Sequence, residues 1–143
     1  MKYLLDTHVW LWMLEASNQI PDDVAAILKD PNQIPLGIAA ISPWEVVKKA
    51  SLGRLDLSIP VRDWITEATT NKGIALLPLT PQISYEANYL PSPFHRDPAD
   101  QIIVATARIA DLTLVTCDRR ILNYRHVRTL WGHEVSPATS GGP

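Results

Sequence analysis

Thr113-Leu114-Val115-Thr116-Cys117-Asp118 is a short apolar run closed by an acid, and Tyr3-Leu4-Leu5-Asp6, near the other end of the chain, repeats the design. Short continuous apolar runs suit strands buried on both faces of a parallel sheet. Between these two the sequence alternates strand-like and helix-like segments. Leu36 to Ile41, bounded by Pro35 and Pro43, and Ile74 to Leu79 read as further strands, and Val127 to Trp131 as a fifth. Helices are expected from His8 to Glu15, from Pro21 onward, from Pro43 to Gly53, from Pro60 to Lys72, from Thr80-Pro81 to Leu90 and from Pro98 to Ala110. Proline suits a first helical turn and glycine commonly ends a helix. Strands alternating with helices imply a three-layer α/β/α sandwich around a central, mostly parallel sheet.

That architecture gives four acids a common address. Parallel strands place their carboxyl ends on one edge, and the returning helices bring their amino ends to the same edge. Asp6 and Asp118 close strands. Glu45 and Asp100 lie just inside the helices opened by Ser42-Pro43-Trp44-Glu45 and Asp97-Pro98-Ala99-Asp100. Each acid also has an ordinary reading: Asp6 as an N-cap, Glu45 as the acid of a Ser-x-x-Glu capping box, Asp118 as a turn cap or the partner of Arg119. Capping does not require four acids to meet, whereas clustered carboxylates repel unless a cation or protons neutralise them. The pattern points to a metal site, and hard oxygen donors suit Mg²⁺ or Mn²⁺. Zinc is disfavoured, because Cys117 is alone and His8, His95, His126 and His133 show no paired ligand spacing. His95 is set apart by its place two residues before Asp97. Of the two acids in that segment, Asp97 is the more natural cap and Asp100 the more natural ligand. No phosphate-binding Gly-rich loop and no nucleophile elbow occurs, so the carboxylates have no rival catalytic motif.

A chain of 143 residues is one domain by length, assigned to residues 1–131, with 132–143 as a short, flexible tail. The first apolar run is broken at Asp6, no stretch reaches the ~20 apolar residues of a membrane span, and one cysteine forms no internal disulfide, so a cytoplasmic protein is expected. A net charge of −2 carries no global polyanion signature. Locally, Lys48, Lys49 and Arg54 follow Glu45, and Arg119, Arg120, Arg125 and Arg128 follow Asp118 with no acid between them. These clusters read either as solvated helix faces or as supports for a polyanion lying across an acidic centre. Val9 to Leu14 is apolar around a whole helix, and the tryptophans at 10, 12, 44 and 64 either fill the core or form a partner surface.

Leu4-Leu5-Asp6-Thr7-His8, Ser42-Pro43-Trp44-Glu45, His95-Arg96-Asp97-Pro98-Ala99-Asp100-Gln101-Ile102-Ile103 and Leu114-Val115-Thr116-Cys117-Asp118-Arg119, in that order, resemble PIN-domain ribonucleases, and most of all the VapC toxins of toxin–antitoxin pairs. The resemblance runs from residue 2 to about Trp131. It implies a Mg²⁺- or Mn²⁺-dependent endoribonuclease with catalytic acids Asp6, Glu45, Asp100 and Asp118, of which Asp6, Asp100 and Asp118 hold the metal. Asp97 and Thr116 are auxiliary, Thr116 as holder of a metal-bound water. Lys48, Arg96, Arg119 and Arg120 are the cations expected along the RNA backbone. An antitoxin protein and a homodimer are the implied partners, with Val9–Leu14 and Trp44 as a docking strip. Two other Mg²⁺ folds fit worse: a haloacid-dehalogenase-like enzyme needs Asp-x-Asp where this chain has Asp6-Thr7-His8, and a phospho-receiver needs an aspartate where it has Leu79-Thr80. The remaining alternative is a catalytically silent PIN-like binding module.

Overall fold

The computed structural model describes residues 1–132 and the backbone of Glu134–Ser136. The strands are β1 (Tyr3–Leu5), β2 (Leu36–Ala39), β3 (Ile74–Leu77), β4 (Thr113–Val115), β5 (Thr129–Trp131) and β6 (Glu134–Ser136). They form one sheet in the order β3-β2-β1-β4-β5-β6. The first five strands in sequence pair in parallel, and β6 alone pairs antiparallel, with β5. Glu134–Ser136 falls within the stretch that the sequence assigns to the tail. Pro137–Pro143 and His133 lie outside the described residues.

The helices are α1 (Thr7–Leu14), α2 (Asp22–Lys29), α3 (Ile41–Ser51), α4 (Val61–Thr70), α5 (Pro81–Asn88), α6 (Pro98–Ala110) and the single turn α7 (Arg119–Leu122), with a 3₁₀ turn at Pro31–Gln33. The strands are too short and too apolar to show alternation in sequence, yet the pleat sorts them. Leu5, Leu36, Ile38, Val115 and Leu130 pack on one face against Val9 and Trp10 of α1, Val24 and Leu28 of α2, and Trp64 of α4. Leu4 and Leu114 face the other way, against Ile103, Val104 and Ala107 of α6 and Ile121 of α7. Ile83 and Ala87 dock α5 onto Ala105 as an outer cover. Helices on both faces of a parallel sheet make the three-layer α/β/α sandwich that the alternation predicts.

The docking strip expected along Val9–Leu14 is corrected by these contacts. Val9 and Trp10 are fully sealed and Leu11 is buried. The Trp10 ring meets Trp64 edge-on at 5.2 Å. Helix α1 packs on the sheet and against α3, with Trp64 of α4 closing over Trp10, and at its far end Trp12, Met13 and Leu14 stay half-buried. Of the four tryptophans in question only Trp44 is exposed, at 59%.

Two boundaries bear on the site. Helix α3 starts at Ile41, two residues earlier than read, with Ala40 as cap and no capping side chain. Pro43 therefore falls in the first turn, where a missing N–H forfeits no intrahelical bond. Strand β4 ends at Val115, so Thr116, Cys117 and Asp118 leave the sheet as a short loop. The chain winds outward from β1 to β2 to β3 and then returns to the far side of β1 as β4. Order reverses between β1 and β4, the place where open α/β sheets form a crevice beyond the strand ends.

Candidate active site

Asp6 and Thr116 follow directly on the paired residues Leu5 and Val115, so they stand side by side at that crevice. Asp6 caps α1, its Oδ1 accepting from the Thr7 amide at 2.7 Å. Its other oxygen, Oδ2, accepts from the Thr116 hydroxyl at 2.6 Å. The same hydroxyl accepts from the Asp118 amide at 3.1 Å. Thr116, expected to hold a water, thus has its proton on Asp6 and a lone pair on the Asp118 backbone. The capping reading of Asp6 holds.

Glu45 is fixed from the opposite wall. The Thr7 hydroxyl donates to Glu45 Oε1 at 2.5 Å and lies 2.8 Å from the Ser42 hydroxyl. Thr7 has one proton and gives it to Glu45, so Ser42 donates to Thr7. The capping box expected between Ser42 and Glu45 does not form: both sit inside α3, and Ser42 is wholly buried. Their spacing of three residues puts them on one helix face, turned to Thr7 instead of to the helix end. Sequence reasoning assigned no role to Thr7 or to Ser42 as its partner. The available signals were a hydroxyl next to Asp6 and a serine one turn before Glu45.

Asp97 caps α6, accepting from the Ala99 amide at 3.0 Å and the Asp100 amide at 3.5 Å. Asp100 points into the site, where His95 Nε2 donates to its Oδ2 at 2.7 Å. His95 is itself held by Gln101 Nε2, which donates to its carbonyl at 3.2 Å. Asp118 caps α7 through the Arg120 amide at 2.8 Å. The Arg120 guanidinium then folds back, reaching Asp118 Oδ2 at 3.2 Å and Asp100 Oδ2 at 3.5 Å.

The electrostatics bind these acids into one group. Burial raises the carboxyl of Asp6, and the charge of Asp118 adds to it against hydrogen bonds from Thr116 and Thr7. Burial likewise raises Glu45, with repulsion from Asp6 and Asp100. It raises Asp100 too, with repulsion from Asp97 and Asp6. For Asp118 burial pulls upward, but the hydrogen bonds and charge of Arg120 outweigh it and hold the carboxyl below its ordinary value. Cys117 is raised by burial and by Asp6 and Asp118, which keeps its thiol protonated and unreactive.

Oxygen-only carboxylate donors that repel one another fit Mg²⁺ or Mn²⁺ in type and in charge. Among the described residues no three His, Cys, Asp or Glu side chains are already disposed to hold an ion. Positive charge at Asp100 and Asp118 comes from Arg120.

The expected backbone-holding cations divide. Lys48, Arg96 and Arg119 are exposed. Arg120, expected to face a substrate, is turned onto Asp118 and Asp100. Arg128 is paired with Asp111 at 2.7 Å, so the arginine run does not form one open basic face. Lys49 Nζ donates to His8 Nε2 at 2.9 Å beside Glu45. Among the described residues no helix is long and apolar enough to cross a membrane.

A family model described as PIN domain matches residues 3–127. Ribonuclease VapC22 of Mycobacterium tuberculosis is 35% identical over 130 residues, covering 90% of this chain and 97% of that protein. Among solved structures, DNA-bound VapBC from Salmonella typhimurium superposes with a TM-score of 0.66 at 18% identity, covering 91% of this chain and 97% of that one. VapBC2 from Rickettsia felis, bound to a DNA fragment from its promoter, gives 0.65 at 15% identity, covering 92% and 100%.

Proposed function

The chain belongs to the PIN-domain family, and from that premise we propose that it is the ribonuclease toxin of a VapC-type toxin–antitoxin pair, a Mg²⁺- or Mn²⁺-dependent endoribonuclease acting in the cytoplasm. The observation that carries the reading is the grouping of Asp6, Glu45, Asp100 and Asp118 about the β1/β4 crevice, where burial raises the first three, Asp118 repels Asp6, and Asp6 repels Glu45 and Asp100. A structural role does not explain that expenditure, since a lone cap has no need of three neighbours of its own charge. The name of the relative at 35% identity supports the activity. The toxin–antitoxin complexes that share the fold support a protein partner.

Asp6, Asp100 and Asp118 would hold the cation. When bound, it supplies a water of lowered pKa and neutralises charge on the phosphate oxygens. The protein's own part is positioning. Thr116 fixes Asp6, and Thr7 with Ser42 behind it fixes Glu45 at the rim, where it can orient or deprotonate a water. Arg120 balances the charge of Asp100 and Asp118, and His95 holds Asp100 through a hydrogen bond. Lys48, Arg96 and Arg119, all exposed, would take backbone phosphates without reading bases. The antitoxin, in this reading, seats an apolar segment in the cleft of about 300 Å³ where Trp12, Met13, Ile20, Ala25 and Leu28 meet between α1 and α2. The active form is a homodimer.

Purified protein with Mg²⁺ or Mn²⁺ should cut RNA, and EDTA should stop it. Cleavage that survives chelation overturns the metal reading. Binding of RNA without cleavage under any divalent ion makes the chain a silent module.

A further inference from the structure

The side chain least explained by the fold is Trp44. An indole exposed to 59% leaves most of its apolar surface in water, next in sequence to the site acid Glu45. Helix geometry arranges its surroundings. Lys48 is four residues on from Trp44 and three on from Glu45, so it neighbours both on the surface of α3. Outward from the crevice the helix thus presents acid, cation and ring. Among the described residues Lys48 makes no salt bridge, and Lys49 and Arg54 add further positive charge along the same helix and its end.

We propose that Trp44 is a base-stacking platform: it receives a nucleobase of single-stranded RNA beside the scissile position, while Lys48 takes the phosphate between that base and the crevice. The assignment rests on the ribonuclease reading above. Its own grounds are chemical. A chain cleaved at the acids must continue past the crevice, and α3 is one wall of it. An exposed ring interleaved with lysines is the composition that binds single strands, the ring accepting any base and the cations following the backbone. A stable protein interface buries roughly 800 Å² per partner around a cluster of apolar anchors. Around Trp44 the other exposed large apolar groups on α3 and its C-cap are Val47, at 40%, and Leu52, at 52%, and Lys48 stands between Trp44 and Leu52. The charge complements a polyanion, and a protein partner is the lesser fit.

The test pairs the protein with its substrate. Cleavage of a single-stranded RNA is measured for wild type, Trp44→Ala and Trp44→Tyr, and repeated on RNAs carrying one abasic ribose at successive positions about the cut. Trp44→Ala should raise KM about tenfold with kcat little changed, the size of one stacked base. Trp44→Tyr, which keeps a ring, should stay within about threefold. One abasic position should cost wild type a similar factor and cost Trp44→Ala nothing further. RNA should also quench tryptophan fluorescence in wild type and much less in Trp44→Ala. Thermal midpoints should agree, because so exposed a ring contributes little packing. Unchanged KM in Trp44→Ala, or an abasic penalty of the same size in both proteins, overturns the platform and leaves the nuclease standing. Normal RNA kinetics with lost binding of a protein partner assigns Trp44 to that partner instead. Failure of wild type to bind or cut any RNA overturns both readings.

Discussion

Removing the Thr116 hydroxyl separates what it does for a charge from what it does for shape. Thr116→Val keeps the volume of a fully buried side chain and deletes one donor and one acceptor. The Asp118 amide loses its 3.1 Å acceptor, a neutral bond worth about 1 kcal/mol. Asp6 Oδ2 loses a 2.6 Å donor, and a hydrogen bond to a charged group is worth about 1.5–3 kcal/mol. The second loss depends on pH. Burial already holds the Asp6 carboxyl above its ordinary value, and the Thr116 bond is the largest influence opposing this. Without it the folded value climbs further. A raised carboxyl contributes nothing adverse below the unfolded value near 4, and its ionisation costs stability as pH rises through the folded value. Thr116→Val should therefore cost about 1 kcal/mol at pH 4 and about 2.5–4 kcal/mol at pH 7. At roughly 3 °C per kcal/mol for a domain of this size, the midpoint at neutral pH falls by about 8–12 °C. Urea melts of both proteins in EDTA at the two pH values measure this directly. RNA cleavage should drop 10–100-fold, as for other groups that orient a ligand carboxylate. An equal loss of stability at both pH values refutes the charge argument, and no loss at either refutes the hydrogen bonds.

Asp100→Asn and Asp6→Asn should abolish cleavage and leave stability equal or higher, since each removes a raised, repelled carboxylate. Asp97→Asn should be mild, because asparagine caps about as well, and the reverse ranking in a cleavage assay would exchange ligand and cap. Tyr124 is pushed up to about 12 by burial, and its hydroxyl donates to the Pro91 carbonyl at 2.6 Å. Its contribution is present below pH 10 and lost as pH rises toward 12, so the alkaline limb of an unfolding curve should flatten in Tyr124→Phe. Trp10→Ala should cost about 3–5 kcal/mol by opening a core cavity, whereas Trp12→Ala should stay folded and bind the antitoxin more weakly by calorimetry. Equal antitoxin affinity for Trp12→Ala and wild type would remove the α1/α2 cleft from the partner's path.

The fold was legible because its punctuation is strong. Pro98 after Asp97 opens α6, Thr80-Pro81 opens α5, and five short apolar runs between helices leave a parallel sheet as the consistent assembly. The gathering of the four acids followed from topology, which turns position in sequence into position on an edge. What failed was local chemistry read as local structure. Ser42 and Glu45 have the spacing of a capping box, yet α3 begins before them and the Thr7 hydroxyl, 35 and 38 residues away, claims both. Apolar residues all round α1 look like a spare surface until α3 and Trp64 of α4 are known to pack on it. The arginines after Asp118 look like one basic face, but α7 turns Arg120 back onto the acids and Asp111 takes Arg128. In each case the deciding partner is remote in sequence, where periodicity carries no signal.

The bond from Thr116 to Asp6 spans 110 residues. Asp6 stands beside strand β4, with Thr116 and Asp118, only once the whole intervening chain has folded back onto β1. Ring closure of that length is among the slower events open to a small domain. Any catalytic power of this centre therefore waits on a contact between the two most distant segments of the domain, and arrives all together.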